Sequence, residues 1–290
     1  MSGHFIFYFL LMKKNSKKTS FAKKVVMNTP KKSSWLSALA VGNVLAFVVV
    51  LIVNYLAVSI PLGGMTTGAL ADLYPNLFVP AALTFSIWGV IYLLLLAFVI
   101  RQIVDFYRKK SSAITQKMGI WFLLSCVANI WWMFAWQYQY VLLSVLVIIF
   151  FLITLIVIAH RIQIGKKLWT LWDKYLVQVP FSIYLGWLSV ATIANVTAVL
   201  VHYGRGMRGM GDVFWTILVI IAATLLALLN LRKDANIMFA LVVVWAFVGI
   251  IIKRVSVDPF YASSIIWTLG VCITVISTGI GLKFQQWRKN

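Results

Sequence analysis

Trp88, Trp132 and Trp187 lie inside long apolar runs, in TFSIWGVIY, ANIWWMFAW and IYLGWLSVATIAN. Tryptophan in a membrane protein usually sits at the water interface, with its ring buried and its N–H wet. Trp187, Ala191 and Asn195 are spaced i, i+4, i+8; Trp88 and Tyr92 are i, i+4; Asn129 and Trp132 are i, i+3. Each set therefore occupies one helix face. Unpaired amides in lipid cost several kcal/mol, so these faces point inward and define a candidate aromatic cavity within the membrane. Acid–base and metal chemistry find little support. All six acids are aspartates, with no glutamate, which argues against a carboxylate pair. His160 and His202 fall at opposite ends of different spans, and Cys126 and Cys272 have no CxxC spacing. No catalytic residue and no metal ligand is assigned.

The elements that must carry these faces follow from hydropathy. The 290 residues are 62% hydrophobic and 11% charged, with a mean hydropathy of +0.96, which excludes an ordinary soluble domain. The fold class is all-α, a polytopic membrane bundle. Eight runs reach the length of about 20 residues needed to cross the bilayer: roughly 36–60, 81–104, 118–137, 139–160, 175–202, 212–230, 236–252 and 260–282, the seventh being the shortest. A net charge of +20 would suggest nucleic acid in a soluble protein, but here the basic residues fill the gaps between apolar runs, so no nucleic-acid partner is expected. With eight spans, 22 of the 26 Lys and Arg fall on the side of both termini and 4 on the other. By this bias both termini are expected in the cytoplasm, with the tail outside if the short seventh span does not cross, and the setting is read as the plasma or inner cell membrane.

Three regions result: a basic arm, 1–34; a five-helix bundle, 35–203; and a three-helix extension, 204–290. HFIFYFLLM near the start is too short to span, and its lysines follow it, the wrong order for a secretory signal. Met27 opens a tidier start, so residues 1–26 read as an upstream start-site artefact. Trp35, Trp121, Trp136, Trp169, Trp172, Trp215 and Trp287 lie near helix ends and read as belt anchors, while Trp131 should face away from Trp132. The glycine-rich loop YGRGMRGMGD lacks a nucleotide-binding pattern. At a rise of 1.5 Å per residue, Trp88 and Asn129 lie roughly 12 Å in from their outer helix ends, and Asn195 and Asn54 about 10 Å.

These residues resemble the tryptophan-rich sensory protein, or translocator protein (TspO/MBR), family of five-helix membrane proteins. The resemblance covers about 36–203. It is carried by Pro80, Phe85, Trp88, Gly89 and Tyr92 in the second helix, by Asn129, Trp132 and Phe134 in the third, and by Trp187, Ser189, Ala191, Thr192 and Asn195 in the fifth. Pro180 and Ala82 depart from the family pattern, and the last three helices have no counterpart in the five-helix core. The resemblance implies a cavity that takes a porphyrin, another tetrapyrrole or a sterol-like ligand, none of them covalently attached. The loop PLGGMTTGALADLYPNLFVP would act as its lid, flexible at Gly63–Gly64 and stiff at Pro75 and Pro80. Phe85, Trp88, Tyr92, Asn129, Trp132, Tyr184, Trp187, Ala191 and Asn195 form the implied ligand set, with the indoles stacking, Ala191 leaving room and the asparagines orienting helices or ligand.

Each role has a plainer counterpart. Aromatic stripes at helical spacing are usually helix packing, asparagines can hydrogen-bond between helices for about 0.6–2 kcal/mol, and Ala191 can let helices approach. The extension reads as scaffold or oligomer packing, and a homo-oligomer is left open. Two functions are expected: a ligand-binding sensor, carrier or regulator, or a permease-like small-molecule transporter component. The intramembrane charges and broken paired helices of a transporter are missing from the sequence. An enzymatic role stays open, with non-enzymatic binding favoured.

Overall fold

Without water in the hydrocarbon layer a backbone must satisfy its own polar groups, and apolar runs of this length do so as helices. The computed structural model describes residues 34–108, 113–165, 170–204 and 210–289. The basic arm, the middle of the glycine-rich loop and Trp169 lie outside these residues, as does the Trp287 side chain. Met1–Ala38 and Leu39–Asn290 are separate compact units; of the first, only the opening turn of a helix is described.

Among the described residues there are ten helices of six residues or more and no strand. They are α1 (Ser34–Ser59), α2 (Thr67–Asp72), α3 (Ile87–Tyr107), α4 (Ala113–Met118), α5 (Trp121–Gln137), α6 (Val141–Arg161), α7 (Val179–His202), α8 (Met210–Asp234), α9 (Ile237–Val257) and α10 (Ser263–Lys289). Seven are long and apolar enough to cross a membrane. The exception among the eight expected spans is α5, with 17 residues, about 25 Å at the helical rise.

Local chemistry explains the helix boundaries. Ala81, just after Pro80, is extended at φ −60° and ψ 149°, and the second span opens as a 3-10 turn, Ala82–Ser86, before α3. Pro180, in the first turn of α7, cannot donate to Leu176, and a π-helical turn, Lys174–Gln178, precedes it. Asn236 caps α9 by accepting from the Phe239 N–H at 3.2 Å. The seventh span runs to Val257 rather than ending near residue 252. Its two basic residues are paired, Arg254 with Asp258 at 2.9 Å and Lys253 with Asp72, so the charges do not stop the helix.

α7 is the central strut. It packs against α3, α6 and α9. Gly186 lets α9 approach: a Cβ there would lie 3.1 Å from Val242 and 3.3 Å from Phe239. α9 also meets the entry of the second span, where Trp245 Nε1 donates to Thr84 O at 3.0 Å and Ala81 N to Gly249 O at 3.0 Å. At the basic end Arg101 pairs with Asp173 at 2.5 Å, tying α3 to the start of the fifth span.

The loop between the first two spans is a folded element rather than a loose strap. Thr66 caps α2 by accepting from Ala69 N, and Asn76 Oδ1 accepts from Phe78 N and Val79 N at 3.0 and 3.1 Å. Leu70 and Phe78 are buried. Gly63, expected to be flexible, lies so close to the Gln137 carbonyl that a Cβ could not fit, so it serves close packing; Gly64 has φ +83° and takes the turn.

Candidate functional site

Trp88 is the hub of the aromatic cluster. Its ring centroid lies 5.7 Å from Tyr92, in a stacked pair four residues apart on α3, and 5.7 Å from Trp132 on α5. From α7, Tyr184 and Trp187 meet it edge-on at 6.1 and 6.2 Å. Phe85 closes on Trp187 at 5.9 Å, also edge-on. Edge-to-face and offset contacts at these distances are the favourable aromatic geometries.

Beneath the rings the amides and phenols are committed to one another. The Tyr92 hydroxyl donates to Asn54 Oδ1 at 2.7 Å, and Asn54 Nδ2 donates to Asn129 Oδ1 at 2.8 Å. Asn129 Nδ2 donates to the hydroxyls of Tyr92 and Tyr184 at 3.2 and 3.1 Å. The network fastens α1, α3, α5 and α7 together. A second chain runs from Trp132 Nε1 to Asn195 Oδ1 at 2.9 Å and from Asn195 Nδ2 to Ser144 Oγ at 2.8 Å, linking α5, α7 and α6. Asn54, Asn129 and Asn195 thus hold helices in place.

This splits the nine residues singled out from the sequence. Phe85, Trp88, Trp132, Trp187, Ala191 and Asn195 border a cavity of about 40 Å³ below the loop. Tyr92, Asn129 and Tyr184 are adjacent but belong to the hydrogen-bonded layer rather than the cavity wall. The wall also includes Thr67, Pro80, Trp136 and Ala198, which the spacing did not reveal. Trp136 corrects the belt assignment: it is buried, stacks on Trp132 at 6.5 Å, and its Nε1 donates to Thr67 O of α2 at 3.3 Å. Its place at a helix end looked interfacial, but the folded loop covers it. Trp131 faces outward and is exposed, as are Trp35 and Trp172.

One polar atom in the wall has no partner. Trp187 is 2% exposed, and among the described residues its Nε1 has no hydrogen-bond acceptor. A buried donor left unpaired costs about 1–3 kcal/mol, and this one belongs to a side chain that lines the cavity. The loop above is attached at several points. Thr67 Oγ1 approaches Met133 Sδ at 3.8 Å, Tyr74 meets Trp136 and His202 with both ring pairs at 5.9 Å, and Asp72 pairs with Lys253. Burial against these rings pushes the Tyr74 phenol above its ordinary pKa.

A multi-pass helical bundle with an aromatic site beneath a folded loop defines the class as a polytopic membrane protein. Residues 39–282 match the TSPO-like protein family, and the chain belongs to it. The match runs beyond residue 203 through α8 and α9 and along α10 as far as residue 282, so most of the extension is matched as well. No curated protein and no solved structure matches the chain.

Proposed function

We propose that this TSPO-like chain binds a flat hydrophobic ligand, a porphyrin-type tetrapyrrole or a sterol-like molecule, at the aromatic site, and acts as a sensor, carrier or regulator. The observation that carries the reading is the buried, unpaired Trp187 N–H, on a side chain that meets the Phe85 and Trp88 rings and lines the cavity under the loop. A ligand with a polar edge supplies the missing acceptor, and its flat face stacks on Trp88 and Trp132.

The space of about 40 Å³ is far below the roughly 300–1,000 Å³ of pockets that hold drug-sized ligands. Binding therefore requires the site to widen. The loop is the element to move, because it joins the bundle through the packing of side chains such as Leu70 and Phe78, isolated hydrogen bonds and one ion pair, whereas the asparagine networks tie the helices to one another. The excess of basic residues on one side supports a plasma or inner cell membrane setting with cytoplasmic termini.

Titration with protoporphyrin IX in detergent tests this reading through tryptophan fluorescence. Saturable quenching that weakens in Trp132→Ala and Trp187→Phe is expected. Absence of saturable quenching in the parent protein sinks it. Ligand uptake into proteoliposomes separates movement across the membrane from sensing alone.

A further inference from the structure

The first N–H groups of a helix have no partner within it, and in hydrocarbon an orphaned one is costly. The second span meets this problem at its entry, where the 3-10 turn Ala82–Ser86 begins. The Ala81 N–H there is taken by a carbonyl from the middle of α9, Gly249 O, at 3.0 Å. One helical turn back along α9, Trp245 Nε1 donates to Thr84 O, also at 3.0 Å. Gly249 lets the two elements come this close, since a Cβ there would overlap the buried Thr84 side chain. One turn further on, Lys253 pairs with Asp72 of the folded loop. Trp245, Gly249 and Lys253 are spaced i, i+4, i+8, so a single stripe of α9 grips the entry to the site.

That stripe holds a part of the wall that must give way if the site is to widen. Phe85 follows Thr84, meets Trp187 edge-on at 5.9 Å and lines the cavity. From the loop, α2 rests on the same ring, with a Cβ at Gly68 placed 3.5 Å from it. α9 is itself well seated. Gly186 brings it against α7, the helix that carries Trp187 and Asn195, and α8 and α10 pack against it as well. The extension is thus anchored to one wall of the site while it holds the wall opposite.

We infer that α9 is a built-in brake on the aromatic site: its Trp245–Gly249–Lys253 stripe holds the Ala81–Phe85 turn against Trp187, and the ligand enters when that turn is released. The inference rests on the binding reading above and adds its regulation, giving the C-terminal helices a part in how often the site is open. The closed form leaves only about 40 Å³. Each contact that favours it lowers the fraction of molecules able to bind, and apparent affinity falls by that fraction. Trp245 is a positioning residue, which touches the entry turn and not the ligand.

Trp245→Phe tests the brake, because it keeps a ring, removes the indole donor and leaves Thr84 O with the Ile87 N–H as partner. Stopped-flow quenching by protoporphyrin IX, on the full chain in nanodiscs, should show association about fivefold faster with dissociation little changed, as expected when a hydrogen bond made only in the closed form is lost. Gly249→Ala pushes α9 off Thr84 and should act in the same direction. Trp267→Phe, on the exposed face of α10, controls for the loss of one indole and should bind as the parent does. Thermal melting followed by circular dichroism establishes that each variant is folded. Hydrogen exchange without ligand reads the clamp directly: amides 81–88 should exchange about fivefold faster in Trp245→Phe, while 141–158 in α6 match the parent. Unchanged association in both variants, weaker binding through faster dissociation, or unchanged exchange at 81–88 overturns the inference. Absence of quenching in the parent removes the binding reading instead, and exchange at 81–88 then decides by itself whether α9 holds the entry.

Discussion

On one face of α7, Trp187, Ala191 and Asn195 look into about 40 Å³, enclosed by indoles and backed by saturated amides. On the adjoining face, Thr192, Val196 and Leu200 border about 970 Å³ that opens sideways. The crowded face carries the residues with chemical character, and the roomy one carries ordinary threonines and aliphatics. Hydrogen-bond partners close the first, whereas the splay of α7 from α8 creates the second. Specific side chains and available volume are therefore separate properties here, held on one helix under one loop.

The contrast predicts unequal responses to substitution. Asn129→Leu should have the largest effect, because it strips three hydrogen bonds from the layer joining α1, α3, α5 and α7. A loss of about 2–3 kcal/mol is expected in equilibrium unfolding in detergent or bicelles. A loss below 0.5 kcal/mol, on the order of a neutral surface change, would show that the network is not what holds this face shut. Gly249→Val comes next. Its side chain would collide with Thr84, so α9 must shift from the entry of the second span, at about 1–3 kcal/mol. Unchanged thermal stability would remove α9 from the account of how that entry is positioned.

Trp187→Phe separates binding from folding. It keeps an aromatic ring and removes the unpaired N–H, so the relieved burial cost offsets the packing lost with the smaller ring and stability should change by under about 1 kcal/mol, while protoporphyrin IX affinity falls about tenfold. Equal affinity in the two proteins would mean that the indole N–H does not engage the ligand. Asp72→Asn should have the smallest effect. Asp72 is half exposed and its link to Lys253 is screened by water, so unfolding should move by no more than about 0.5 kcal/mol. A larger shift would make this pair a principal anchor of the loop.

Much of the crowded face could be read from the sequence, because helical spacing alone puts Trp88 with Tyr92, Asn129 with Trp132, and Trp187 with Asn195. What spacing could not supply was which amide meets which phenol. Asn54 reaches Asn129 from 75 positions away, and Ser144 meets Asn195 across α6. Trp136 at a helix end resembles a belt anchor in the sequence, and only the folded loop above it shows that it is buried. Hydropathy ends the seventh span near residue 252 because it sees Lys253 and Arg254 as charges but not their partners, whereas the helix continues to Val257. The larger space had no local signal at all: it arises from the angle between two consecutive helices, and Thr192, Val196 and Val219 look like any lipid-facing residues.

Tryptophan fluorescence during titration with protoporphyrin IX, in the parent protein, Trp187→Phe and Val219→Trp, tests the central claim that the crowded aromatic face is where the ligand binds. Saturable quenching in the parent, about tenfold weaker in Trp187→Phe and unchanged in Val219→Trp, is the predicted result. Quenching that is absent from the parent, or lost in Val219→Trp while intact in Trp187→Phe, would contradict it.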